Sequence, residues 1–149
     1  MKRLSPRSFS IGFFGLLVAI QLIPVWLWQT NPPAQSQPTW SDPQTRTLVQ
    51  RACYDCHSNQ TTWPWYSKVA PVSWLVTWDT VRGRNHLNFD NWNAQVQREP
   101  SRLARQVERE VSSGDMPPSS YLWMHPDAKL TPQEQQQLIQ GLQHMIAAQ

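Results

Sequence analysis

Cys53-Tyr54-Asp55-Cys56-His57 is the stretch on which the reading of this chain turns. It holds the only two cysteines of the 149 residues, with a histidine directly after the second. CxxCH is the attachment signature of c-type haem. Two thiols at this spacing, near the end of a helix, can each reach one vinyl group on the same porphyrin edge, and the adjacent imidazole projects toward the iron. Cys53 and Cys56 are therefore the expected thioether positions and His57 the expected proximal iron ligand, with one haem c per chain. Three other chemistries use the same residue types and fit less well. A disulfide across two residues closes almost no loop. A thioredoxin-like dithiol needs a strand–helix context that the flanks do not show. A zinc site needs a second ligand pair, and the remaining histidines stand apart.

Working outward, the flanks read as helices. Asp42-Pro43 is an N-cap followed by proline at the first helical position, and Leu48, Val49 and Ala52 form the face leading into Cys53. Downstream, a helix is predicted from about Pro71, with Trp74, Leu75, Trp78 and Val81 on a single apolar stripe. Another starts near Pro100, places Leu103, Val107 and Val111 at i, i+4 and i+8, and stops before Gly114. Thr131-Pro132-Gln133-Glu134 is a capping box, after which Leu138, Ile139, Leu142, Met145 and Ile146 recur at helical spacing. No alternating β pattern and no internal repeat is found. The predicted fold class is all-α, a small cytochrome c-like helical domain over 40–149 built around a covalent haem. Its proline-rich connections are longer than a small helical core usually carries. A buried porphyrin would supply the apolar surface that so small a domain lacks.

The iron's second axial position has several candidates. Met116, in Gly114-Asp115-Met116-Pro117-Pro118, sits on a loop stiffened by two prolines and is the expected distal ligand. Met124 and His125, in Leu122-Trp123-Met124-His125-Pro126, are the alternatives. His125 also reads as a surface residue or a hydrogen-bond partner for a haem propionate, whereas His86 and His144 read as solvated. Trp63, Trp65, Tyr66, Trp74 and Trp78 are read as a pocket wall that keeps water from the haem, with ordinary helical core as the competing reading. Tyr121 and Trp123 are placed on the distal side. None of these aromatics is given a catalytic role.

The N-terminus carries a different signal. Residues 1–8 are basic, and Phe9 to Trp28 (FSIGFFGLLVAIQLIPVWLW) carry no charge. At about 1.5 Å per residue that stretch spans a hydrocarbon core of about 30 Å. Gln21 and Pro24 weaken it to a tolerable degree, and Trp26 and Trp28 fall where interfacial aromatics belong. The positive flank predicts a cytoplasmic N-terminus and a body across the membrane, in a periplasm or lumen. A retained anchor is favoured over a cleaved signal sequence, because the apolar run is long and no good cleavage site follows. Residues 29–39 (QTNPPAQSQPT) read as a Pro/Gln-rich linker. The net charge of +3 resides entirely in Lys2, Arg3 and Arg7, so the body is neutral. Only 15% of residues are charged, and Gly is scarce at five. These figures argue against a nucleic-acid face and against a nucleotide-binding loop.

Taken together, CYDCHSNQTTWPWYSKVAPVSWL, HLNFDNW and GDMPPSSYLWMHPDAKLT make residues 40–147 resemble the bacterial haem-binding domain family, small exported proteins with a single CxxCH. More distantly, the helix before CxxCH, the MPP loop and the closing helix are similar to class I cytochromes c. The family resemblance implies haem c at Cys53, Cys56 and His57, and the cytochrome analogy implies Met116 as distal ligand. The Trp-rich insert between the site and the loop departs from a minimal cytochrome c. The expected function is a membrane-tethered one-electron carrier with redox proteins as partners, and not an enzyme. A haem-based sensor with an open distal site and a haem subunit of a larger membrane oxidoreductase are the alternative readings.

Overall fold

The computed structural model describes residues 6–149; Met1–Ser5, including Lys2 and Arg3 of the basic segment, lie outside the described residues. In chain order the α-helices are α1 (Pro6–Gln21), α2 (Pro43–Ala52), α3 (Tyr54–His57), α4 (Val72–His86), α5 (Trp92–Val96), α6 (Pro100–Ser112), α7 (Ser119–Leu122) and α8 (Pro132–Ala147). Single 3₁₀ turns occur at Val25–Trp28, Trp65–Lys68 and Pro126–Ala128. No strand is found among the described residues beyond one isolated parallel bridge between Ser36 and Asn91. The all-α expectation holds.

The helix starts follow from their caps. Asp42 accepts from the Thr45 amide (2.7 Å) and hydroxyl (2.6 Å), satisfying an orphan donor at the head of α2. At α8, Thr131 accepts from the Glu134 amide while the Glu134 carboxylate accepts from the Thr131 amide, so the capping box closes as read. Glu134 also pairs with Arg51 at 2.6 Å, tying α8 to α2. Gly114 ends α6 with φ +79°, a left-handed conformation that glycine adopts without penalty.

Helix α8 packs against both α2 and α6. Leu48, Val49, Leu103, Val107, Leu138 and Leu142 are all buried in the resulting core. Gly141 makes the α2–α8 approach possible, because a Cβ there would overlap the Thr45 side chain. An aromatic stack extends this core behind the cysteines. Phe89 lies 5.7 Å from both Tyr54 and Trp92 between ring centres, and Trp40 lies 5.9 Å from Phe89.

One predicted packing face is overturned. Helix α4 buries Ser73, Thr77, Thr80 and Gly83, and it exposes Trp74, Leu75, Trp78 and Val81, the apolar stripe whose tryptophans are expected against the haem or in the core. The reason is steric. Helix α4 packs on α3, and a Cβ at Gly83 would sit 2.5 Å from the Cys56 carbonyl oxygen, so only a small-residue face fits.

The N-terminal segment is apolar from Phe9 to Trp28 and long enough to cross a membrane, but its regular helix stops at Gln21. Pro24 cannot continue the helix and disfavours it at the residue before. Residues 29–39 have no regular structure, yet they are held to the body. The Asp90 carbonyl accepts from the Gln35 (2.8 Å) and Ser36 (3.1 Å) amides, and its carboxylate accepts from the Gln37 side chain (2.7 Å). Arg84 donates to the Thr30 carbonyl (2.7 Å) and the Asn31 side chain (3.0 Å). This segment therefore lies along the domain and does not hang free as a tether.

Candidate functional site

Because α3 and α4 pack together on one side and α6 and α8 on the other, an apolar cavity of about 480 Å³ remains between the two pairs. That volume is in the range of sites for small molecules and cofactors. Cys53, Cys56 and His57 line it from the α3 side, and Met116 lines it from the loop after α6. Leu87, Phe89, Leu103, Val107, Val111 and Leu138 make much of the wall. Asp55, Asp79, Arg82, His86 and Glu110 supply its charged or titratable lining.

The local fold leaves His57 able to serve as a metal ligand. Its Nδ1 lies 3.0 Å from the Leu87 carbonyl oxygen, which can only accept, so the proton sits on Nδ1 and Nε2 keeps its lone pair. Burial holds the His57 pKa below its usual value, favouring the neutral ring against the backbone carbonyls that oppose this. The Phe89 amide donates to the His57 carbonyl at 2.8 Å, which fixes the chain on either side of the ring.

The two thiols are not joined to each other. Burial pushes the Cys53 thiol up to about 12, with a further contribution from Cys56. Burial, then Asp55 and Asp79, push the Cys56 thiol up to about 11. A redox-active CxxC pair needs the opposite shift, so the dithiol reading loses support. Among the described residues no group of three or more His, Cys, Asp and Glu is arranged to hold a metal ion, so the zinc reading also finds no ligand set.

The far wall is shaped by the Gly114 turn. After it, the Met116 amide donates to the Glu110 carbonyl at 2.9 Å, and Pro117 is buried beneath the loop. Met124 and His125 do not line the cavity. Met124 is half-exposed, and His125 shares a 2.8 Å hydrogen bond with the Tyr66 hydroxyl while stacking on Tyr121 at 4.2 Å. Tyr121 does line the cavity, and its hydroxyl donates to Asp55 at 2.8 Å, so His125 supports a wall residue from behind. His144 is exposed on α8, and His86 is exposed but also borders the cavity, which the sequence reading did not anticipate.

The aromatic wall is corrected. Trp63, Trp65, Tyr66, Trp74 and Trp78 do not line the cavity, and Trp123 is 90% exposed. Phe89 and Tyr121 are the aromatics that do. Phe89 sits in an irregular stretch with no helical period to announce it. Its place depends on the 2.8 Å backbone bond to His57.

The fit to a porphyrin is chemical as well as spatial. Two protonated thiols, an imidazole with a free Nε2 and a thioether all border one apolar cavity, whose polar lining includes a guanidinium able to meet carboxylates. A helical domain with such a cavity belongs to the class of haem-binding proteins. The family model described as haem-binding domain matches residues 15–144, and the chain belongs to that family. The match begins inside the apolar N-terminal segment, well before the 40–147 over which the motifs carry the likeness. Neither a curated protein nor a solved structure matches the chain.

Proposed function

We propose that this haem-binding protein carries one haem c, attached through Cys53 and Cys56, and passes single electrons outside the cytoplasm while held to the membrane by residues 9–28. The observation that carries the reading is the joint placement of Cys53, Cys56 and His57 with Met116 on one apolar cavity. When bound, the haem supplies a one-electron couple. The chain's own part is to hold, orient and shield it. His57 would hold the iron through Nε2, its ring oriented by the Leu87 carbonyl. Met116, presented by the Gly114 turn, would supply a second ligand through its thioether. Leu103, Val107 and Leu138 exclude water, which favours the reduced state. Arg82 and His86, which border the cavity from α4, would be the residues to meet the haem carboxylates.

The anchor reading is supported by contacts that a removed leader would forfeit. Gln21 bonds both the amide (2.9 Å) and the carbonyl (3.1 Å) of Ala70, and the Gln29 amide group donates to the Ser67 carbonyl (2.6 Å). Arg7, with Lys2 and Arg3, keeps the N-terminus on the cytoplasmic side.

The test is an alkaline pyridine spectrum of protein made with a cytochrome c maturation system, after acid–acetone extraction. A thioether-linked haem spectrum that survives extraction is expected, and its loss on extraction would overturn covalent attachment. Met116→Ala should then lose the thioether-to-iron absorption band and gain carbon monoxide binding. A variant spectrum identical to the parent would remove Met116 from the iron, and an open site in the parent would favour the ligand-sensing alternative.

A further inference from the structure

We infer that the outer face of α4, with the turn at 65–68 before it, is a lipid-contact surface lying on anionic phospholipid at the foot of the anchor. This rests on the anchor reading above and goes beyond it, because an anchor alone leaves open whether the domain stands clear of the bilayer.

Four observations converge. The first is the inversion of α4. Trp78 is 61% exposed, Leu75 50% and Trp65 74%. None of the three lines the haem cavity. Soluble monomers rarely keep so many large apolar side chains together in water, and indoles are enriched where membrane meets water. The second is continuity. The turn at 25–28 packs against α4 with Val25 buried, and Gln29 donates to the Thr77 hydroxyl at 3.0 Å. The turn that carries the exposed Trp26, Leu27 and Trp28 is therefore seated directly on α4, without a spacer.

The third is length. From Phe9 to Gln21 the regular helix rises about 20 Å at 1.5 Å per residue, short of a hydrocarbon core of about 30 Å. The apolar surface that follows must make up the rest, and that surface includes residues whose neighbours are on α4. The fourth is charge. Lys68 and Arg82 flank the face, with the Arg82 guanidinium 5.6 Å from the centre of the Trp78 ring; the one carboxylate of this stretch, Asp79, is half-buried and lines the cavity. Cations beside indoles suit the headgroups of anionic lipid. Arg82 also borders the cavity, so this placement brings the haem site to the membrane surface.

The experiment uses full-length haem-loaded protein in vesicles of phosphatidylethanolamine and phosphatidylglycerol, with a trace of phosphatidylcholine bearing a diazirine close to its headgroup. After illumination, lipid adducts are mapped by mass spectrometry of peptides. Adducts are expected on both the 9–28 peptide and the 65–81 peptide. Leu75→Lys with Trp78→Lys should abolish those on 65–81 while leaving anchor adducts and haem content as in the parent. Adducts on the anchor alone would overturn the proposal and leave the anchor reading standing. Absence of adducts from both peptides would mean that the anchor reading itself has failed. Adducts on 65–81 that emerge only when protein is diluted to about one copy per vesicle would give the face to a second copy of the chain, which also overturns the proposal.

Discussion

Helices α4 and α6 both border the apolar cavity, and they use their apolar residues in opposite ways. Helix α6 turns Leu103, Val107 and Val111 inward, where they meet α8 and the cavity. Helix α4 turns Ser73, Thr77, Thr80 and Gly83 inward and leaves its tryptophans outside. A helix that packs at ordinary distance gains most by burying branched aliphatics. One that must lie almost against another backbone can present only small residues, and its large apolar side chains then have nowhere to go but out.

The sharpest break of this comparison is at Gly83. Gly83→Val should prevent α4 from seating on Cys56, and little haem-loaded protein should accumulate. Even Gly83→Ala should cost up to about 3 kcal/mol in urea unfolding, since the blocking atom is backbone and cannot swing away. If Gly83→Ala loads haem and unfolds like the parent, close approach is not what inverts α4. The next test sets one apolar truncation against the other. Leu103→Ala on α6 should cost about 2–3 kcal/mol in the haem-loaded protein, whereas Leu75→Ala on α4 in detergent should stay within about 0.5 kcal/mol. Equal losses would mean that the outer face of α4 is buried after all.

A smaller effect is expected where α6 hands over to Met116. Gly114→Ala places a side chain at φ +79° and should cost about 1 kcal/mol. It should also weaken the thioether-to-iron band more than Leu75→Ala does. The smallest is a pH effect on the α2–α8 support. The Thr131 amide, then Arg51, hold the Glu134 carboxyl down to about 2 from an ordinary 4.5. A depressed carboxyl stabilises the fold above its unfolded pKa, so this contribution is complete above about pH 4.5 and fades as pH falls toward 2. Glu134→Gln should flatten that part of the acid limb in thermal unfolding, and an unchanged limb would show that the cap contributes nothing there.

How much was legible beforehand follows from the range of the interactions involved. Asp42 and Thr131 announce helix starts because their bonds reach three residues along the chain, and the α6 and α8 stripes announce buried faces because those helices pack at ordinary distance. The haem reading came from five consecutive residues, since the chemistry of CxxCH is local. Phe89 and Tyr121 gave no such signal, and Trp63, Trp65, Trp74 and Trp78 gave a misleading one. A tryptophan-rich helix beside a cofactor motif has the same sequence whether its indoles face the cofactor or the outside of the domain.

The helical class, the apolar N-terminal segment, the caps and the haem-binding family were all readable from the chain alone, being matters of neighbours within a few positions. Tertiary structure alone decided which face of α4 is buried, that residues 29–39 lie along the domain, that Met116 shares a cavity with His57 while Met124 and His125 do not, and that Leu87 orients the imidazole. Each of these depends on contacts between distant segments, and the clearance of a single glycine over the Cys56 carbonyl is enough to turn a helix around.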